Sequence, residues 1–135
     1  MSYILFLDDV RFPEDVYWVW LPSNFRNHWT IVRNYDEFVK VIEEKGLPEF
    51  VTFDHDLADE HYREGFAGTE PKYDEYKEKT GYHCAEWLVH YCASKDLPVP
   101  AFQVHSMSPV GKQRILAVLD ENNVTRLRQM LRNLG

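Results

Sequence analysis

Hydrophobic positions along this chain fall into two kinds of run. Four runs are short and unbroken: Tyr3–Leu7 (YILFL), Trp29–Val32 (WTIV), Phe50–Phe53 (FVTF) and Ala101–Val104 (AFQV). Short runs rich in branched and aromatic side chains predict strands covered on both faces. Elsewhere the apolar positions recur at helical spacing. Phe38, Val39, Val41 and Ile42 mark a helix over Tyr35–Lys45, with Gly46 as its C-terminal stop, and Cys84, Trp87, Leu88, Tyr91 and Cys92 mark one over Gly81–Lys95. Pro109 precedes a helix predicted over Val110–Glu121. A last helix is predicted over about Val124–Leu134, carrying Arg126, Arg128 and Arg132 on what reads as a solvated face. Strands alternating with helices imply crossover connections and a mostly parallel sheet of about four strands.

The segment Leu57–Thr80 fits neither kind of run. It carries seven acids, four bases and four aromatics, with Gly65, Gly68 and Pro71. Connections of this length are usually functional or mobile, so it is expected to be an insert that closes over a site as a lid.

The chain has 135 residues, about one domain's worth, and is read as a single domain over 1–135. Its 44% hydrophobic and 15% aromatic content belongs to a globular protein. Fifteen Lys and Arg against 22 Asp and Glu give a net charge of −7. That excludes sequence-blind binding to duplex DNA, which needs a basic surface, but not a small phosphorylated ligand held at one metal site. No apolar run approaches membrane-spanning length, and Met-Ser-Tyr leads straight into a strand without a signal peptide. Cys84 and Cys92 sit two helical turns apart, with Cα atoms about 12 Å from one another, too far for a bridge. They read as buried thiols of a cytoplasmic protein.

In an open parallel sheet, ligands bind outside the carboxyl ends of the strands. The first predicted strand ends in Asp8-Asp9, the third in Asp54-His55-Asp56 and the fourth in His105-Ser106. A parallel sheet brings these clusters to one edge. Single aspartates there would simply cap turns, whereas several carboxylates converging in one cleft repel each other and call for a cation. Oxygen ligands favour Mg²⁺ (or Mn²⁺), which recruits substrate phosphate oxygens. Asp8, Asp9 and Asp54 are the candidate ligands.

His55 and His105 stand apart from His28, His61 and His90, because each ends a strand beside an acid or a hydroxyl. Two readings are open: general base and acid on a phosphate, or hydrogen-bonding partners that orient the carboxylates. His83, at a helix start, stays ambiguous. Asp56 would orient His55 or join the metal shell. Arg11, Ser106 and the amides around Gly111 are candidate phosphate contacts, with Lys112 a weaker one. The chain has no glycine-rich phosphate loop and no nucleophile elbow around Ser106.

These residues resemble a receiver domain, with Asp8-Asp9 as its acidic pair, Asp54 as its phosphoacceptor and Ser106 as its hydroxyl residue. The chain departs from receivers in lacking a fifth strand bearing Lys-Pro, in the long insert after Asp54, and in His55 and His105. It is more similar to the cyclic-phosphate processing receiver domains of bacteria and phages. The resemblance rests on LDDVRFP (Leu7–Pro13), FDHDL (Phe53–Leu57), GYHCAEWL (Gly81–Leu88) and HSMSPVG (His105–Gly111), and spans roughly Tyr3–Leu119. Ser108 stands where that family's pattern has Asn. The resemblance implies a receiver-like three-layer αβα fold and a metal-dependent phosphoesterase acting on a cyclic-phosphate-ended RNA or a cyclic nucleotide. A non-catalytic signalling module, phosphorylated on Asp54, or a protein that sequesters a cyclic nucleotide, are the alternatives.

Overall fold

The computed structural model describes residues 3–22, 29–58, 73 and 76–134, and among these leaves out the side chains of 122–130, 133 and 134. Four strands are present: β1 (Ile4–Leu7), β2 (Trp29–Val32), β3 (Phe50–Phe53) and β4 (Ala101–Val104). Every pairing is parallel and the order is β2-β1-β3-β4. Three helices accompany them: α1 (Tyr35–Lys45), α2 (Gly81–Ser94) and α3 (Pro109–Leu134). This is a receiver-like α/β fold. Among the described residues no helix is long and apolar enough to cross a membrane.

Local chemistry sets the helix limits. Asn34 caps α1, its side chain accepting from the Glu37 amide, and Gly46 ends it at φ 84°, a conformation that glycine adopts at little cost. Thr80 caps α2 in a reciprocal box: its hydroxyl accepts from the amides of Tyr82 and His83, and its own amide donates to His83 Nδ1. The Ser108 hydroxyl accepts from the Gly111 amide at the start of α3. Two helices were expected where α3 runs unbroken. Asn122 and Asn123 fall between them, but asparagine in a helix interior costs only about 0.7 kcal/mol against alanine, so a helix already nucleated continues.

Period-2 alternation sorts the strand residues. Leu5, Leu7, Val32, Val51, Phe53 and Val104 form one buried cluster with Phe38 and Ile42 of α1, Cys84, Leu88 and Cys92 of α2, and Ile115 and Leu119 of α3. All three helices therefore cover the same face. On the other face Phe6 meets Trp29 edge-on at 5.8 Å, and Trp29 meets Phe50 at 6.2 Å. The layer there, among the described residues, is the β1–β2 connection, regular only in a single 3-10 turn at Pro13–Asp15. It is tied to β4 where Trp18 Nε1 donates to the His105 carbonyl at 2.7 Å.

Most of the expected lid, together with His28 and His61, lies outside the described residues, as do the side chains of Arg126 and Arg128. Cys84 and Cys92 are buried and unbridged, and burial pushes the Cys84 thiol well above its ordinary value, which keeps it protonated.

Candidate metal and phosphate site

The chain leaves β1 to form β2 on one side, then returns to place β3 on the other. The crevice at the carboxyl ends of β1 and β3 is thus the switch point of the sheet. Asp8 follows β1 and Asp54 follows β3. Each still extends the ladder, the Asp8 amide donating to Val32 O at 3.1 Å and the Asp54 amide to Leu7 O at 2.9 Å.

Asp8 is fully buried and saturated with donors. Its Oδ1 accepts from the amides of Val10 (3.0 Å) and Arg11 (2.8 Å), and its Oδ2 from His105 Nε2 (3.0 Å) and Arg11 Nη1 (3.4 Å). Burial alone would raise its pKa, but the His105 bond and the two amides outweigh that and bring it down to about 2. Asp54 is the converse. It is equally buried, and among the described residues its Oδ1 accepts only from the His55 amide at 2.9 Å and its Oδ2 has no hydrogen-bond partner. Burial, then the negative charges of Asp8, Asp56 and Asp9, push Asp54 well above the ordinary range, with Arg11 pulling the other way.

Asp8, Asp9 and Asp54 each offer a carboxylate oxygen, all within 4.8 Å of one another. Oxygens bound to one Mg²⁺ at about 2.1 Å lie within about 4.2 Å of each other, so the three need close in only slightly. A lone buried oxygen facing two more carboxylates is a donor set suited to a hard divalent cation. These residues fit the metal.

The two histidines sit on opposite faces of the sheet. His105 lies on the loop side, stacked on Phe6 with centroids 4.7 Å apart, its Nδ1 2.8 Å from Thr52 Oγ1. Burial pushes its pKa down, only partly offset by Asp8. Because a carboxylate can only accept, Nε2 carries the proton toward Asp8, and neutral His105 then accepts from the Thr52 hydroxyl at Nδ1. His55 lies on the helix side. Its Nδ1 is 2.8 Å from Asp56 Oδ1 and its Nε2 2.9 Å from Tyr73 Oη. A Cβ on Gly111 would fall 2.4 Å from the His55 ring, and one on Gly81 only 1.8 Å from the Asp54 carbonyl oxygen. Glycine is needed at both places because other parts of this site occupy the space.

The remaining candidates divide. Arg11 reaches the carboxylate cluster, with its guanidinium also 5.2 Å above the Trp18 ring and Nη2 3.7 Å from Met107 Sδ. Ser106 is buried, its Oγ accepting from the Ser108 amide. Gly111 packs on His55, and its amide is taken by Ser108. Lys112 lies in the first turn of α3 with its amide on Ser108 O at 2.9 Å. Ser108 serves as the N-cap of α3, a task serine performs as well as asparagine. His83 belongs to the α2 cap, and His90 is exposed.

Sequence reasoning passed over Thr52, Tyr73, Trp18 and Arg33. Thr52 was the most legible, being a polar residue within an apolar strand and two positions before Asp54. Arg33 straps the loop, Nη1 donating to the carbonyls of Asp8 (3.1 Å) and Arg11 (2.6 Å). Nothing local marks Tyr73 among the tyrosines of the insert.

A receiver-type sheet edge with carboxylates on β1 and β3 and a hydroxyl after β4 defines the class of domain. Within it, residues 3–121 match the family described as cyclic-phosphate processing receiver domain. The chain belongs to that family, whose name ties it to the processing of cyclic phosphates. No curated protein and no solved structure gives a significant match.

Proposed function

We propose that the domain is a metal-dependent phosphoesterase that opens a cyclic phosphodiester, on an RNA end or a cyclic nucleotide, by attack of water. The observation that carries this reading is Asp54 Oδ2, a buried carboxylate oxygen without a donor in the crevice shared with Asp8 and Asp9. Those three aspartates would hold Mg²⁺ or Mn²⁺, whose charge polarises a phosphoryl oxygen and offsets charge developing on it. In the overall step the water oxygen forms a new P–O bond and one ring P–O bond breaks. The proton lost by water is balanced by the one gained on the departing oxygen.

The chain's own groups have distinct tasks in this reading. His105 holds Asp8 ionised and oriented, the second of the two roles left open for it, which makes it a positioning residue in this reading. Asp56 fixes His55 with its proton on Nδ1, leaving Nε2 to accept from the Tyr73 hydroxyl, so any proton His55 exchanges at Nε2 is exchanged with that phenol. Arg11 turns from the aspartates to a phosphate oxygen, and the Ser106 hydroxyl donates to another. Lys112 adds positive charge at the same helix start.

A second reading is favoured by one observation. Both histidine rings are fully buried, with both nitrogens of each in hydrogen-bonding contact. A domain whose two candidate bases are both engaged in this way would bind a cyclic phosphate without turning it over. Incubation with Mg²⁺ or Mn²⁺ and a panel of 2′,3′-cyclic nucleotides, 3′,5′-cyclic nucleotides and cyclic-ended RNA, followed by chromatography, separates the two. Turnover lost in Asp54→Asn and in a His55/His105 double alanine variant supports the esterase. Binding without product supports sequestration, and absence of both with every metal overturns the phosphate-ligand reading.

A further inference from the structure

We infer that the aromatic cleft in the β1–β2 connection is a seat for a single nucleobase, so that the ligand's phosphate carries a nucleoside; this rests on the phosphate-site reading above. The cleft measures about 720 Å³ and is lined by Trp18, Trp20, Tyr17, Trp29, Pro22 and Glu14 among others. Small-molecule sites typically enclose roughly 300–1,000 Å³. Tyr17 is 86% exposed and Trp20 71%. Two large rings held that far into water beside a cleft mark a surface made to be covered.

Three features connect the cleft to the carboxylates. The cleft occupies the loop-covered face of the sheet, the face on which His105 meets Asp8. Its wall is anchored to the site, since Trp18 donates to the His105 carbonyl and Gln103 Nε2 donates to the Trp20 carbonyl at 3.4 Å. Arg11 bridges the two, bonded to Asp8 and lying over the Trp18 ring that lines the cleft. A phosphate at the aspartates and Arg11 therefore has its substituent led toward the aromatic wall.

The wall's chemistry selects that substituent. Trp20 and Tyr17 offer π faces on which any base stacks. Glu14 offers a carboxylate, the acceptor that suits a base amino group. A lipid chain would make no use of Glu14, and a bare sugar has no π face. The net charge of −7 and the acid in the cleft disfavour a long polyanion, which leaves the one nucleotide that bears the phosphate.

The test titrates the full chain, in saturating Mn²⁺, with adenosine 2′,3′-cyclic phosphate, its base-free ribose cyclic phosphate and a cyclic-ended tetranucleotide, followed by calorimetry. Trp20→Ala, Tyr17→Ala and their double variant are compared with wild type. Mn²⁺ affinity and melting temperature verify that the exposed substitutions leave the fold and cation site intact. Deleting the base should weaken binding roughly tenfold or more. The double variant should lose the same factor on the nucleotide and none on the base-free compound. Equal affinity for mononucleotide and tetranucleotide supports a one-base seat, whereas a tighter tetranucleotide whose gain survives both substitutions overturns it. Equal binding with and without the base, unaffected by the substitutions, overturns the base seat while leaving the phosphate site standing. Mn²⁺ binding with no phosphate ligand bound removes both.

Discussion

His105 Nε2 stands 3.0 Å from Asp8 Oδ2, across 97 positions of sequence, with both side chains sealed from water. Thr52 closes the chain of bonds at the far nitrogen. A carboxylate in this setting would ordinarily pick up a proton, because burial penalises its charge. Donors from β4 and from the loop after β1 reverse that outcome. Asp8, at the end of one of the two central strands, is thereby kept ionised before any cation arrives.

If His105 acts by positioning, its replacement should be felt first in cation affinity. Partners one step behind a metal ligand are typically worth 10–100-fold. His105→Ala should weaken Mn²⁺ binding by roughly tenfold, and His105→Gln, which retains an N–H donor, should recover part of that loss. Turnover should follow cation occupancy in both variants. A glutamine variant that regains Mn²⁺ affinity yet turns over no faster than the alanine variant would assign His105 to proton transfer.

Acid should unfold the protein through the same pair. Asp8 is held at about 2 against an ordinary 3.8, so its contribution is complete above 3.8 and is lost as pH falls toward 2. The difference corresponds to about 2 kcal/mol. His105 acts earlier with the same sign: its pKa is depressed below 6.5, so the unfolded chain takes up a proton first and stability falls as pH drops below that value. Urea unfolding at pH 7, 5 and 3 should show wild type losing its advantage over Asp8→Asn mainly below pH 4. An advantage that does not change with pH would contradict the assignment.

Much of this was legible because polar residues at the ends of apolar strands have no packing reason to be there. Asp8, Asp54, His55 and His105 announce themselves that way, and a parallel sheet carries them to one edge. The side of the sheet on which each acts was not legible: alternation sends His105 toward the loop and His55 toward the helices, and only the packing assigns those layers. Gly111 looked like space for a phosphate, but the imidazole of His55, distant in sequence, takes that space. Tyr73 and Trp18 reach the site through hydrogen bonds to residues far away in sequence, which no periodicity records. The break expected between Glu121 and Val124 is absent, since weak helix formers such as Asn122 and Asn123 do not stop a helix that packing has already established.

The two buried glycines should behave against the usual trend. Glycine to alanine within a helix normally stabilises by roughly 0.5–1 kcal/mol. Here a Cβ on Gly81 meets the Asp54 carbonyl oxygen at 1.8 Å, and one on Gly111 meets the His55 ring. Overpacking of this kind costs about 1–3 kcal/mol. Gly81→Ala should be the worse, because it meets backbone, which cannot rotate away. It should also displace Asp54 and weaken Mn²⁺ binding. Thermal melts of both variants check the order, and a melting temperature at or above wild type for Gly81→Ala would show that the end of β3 yields.

Without a divalent cation, Asp54 should work against the fold as pH rises. Burial and the charges of Asp8, Asp56 and Asp9 raise it above the ordinary 3.8. Between 3.8 and that raised value the folded chain holds a proton that the unfolded chain has lost, so stability falls with increasing pH across the window. Asp54→Asn keeps the shape and removes the charge. In EDTA the wild-type protein should therefore lose ground to this variant as pH rises above 3.8. Comparing the two cancels the contribution of His105, which both share. Mn²⁺ at 100 times its Kd should then add about 2.7 kcal/mol to the wild type and much less to the variant. Equal stabilisation of both by Mn²⁺, or a wild-type advantage that grows with pH in EDTA, would remove Asp54 from the cation site and with it the ground for metal-assisted chemistry here.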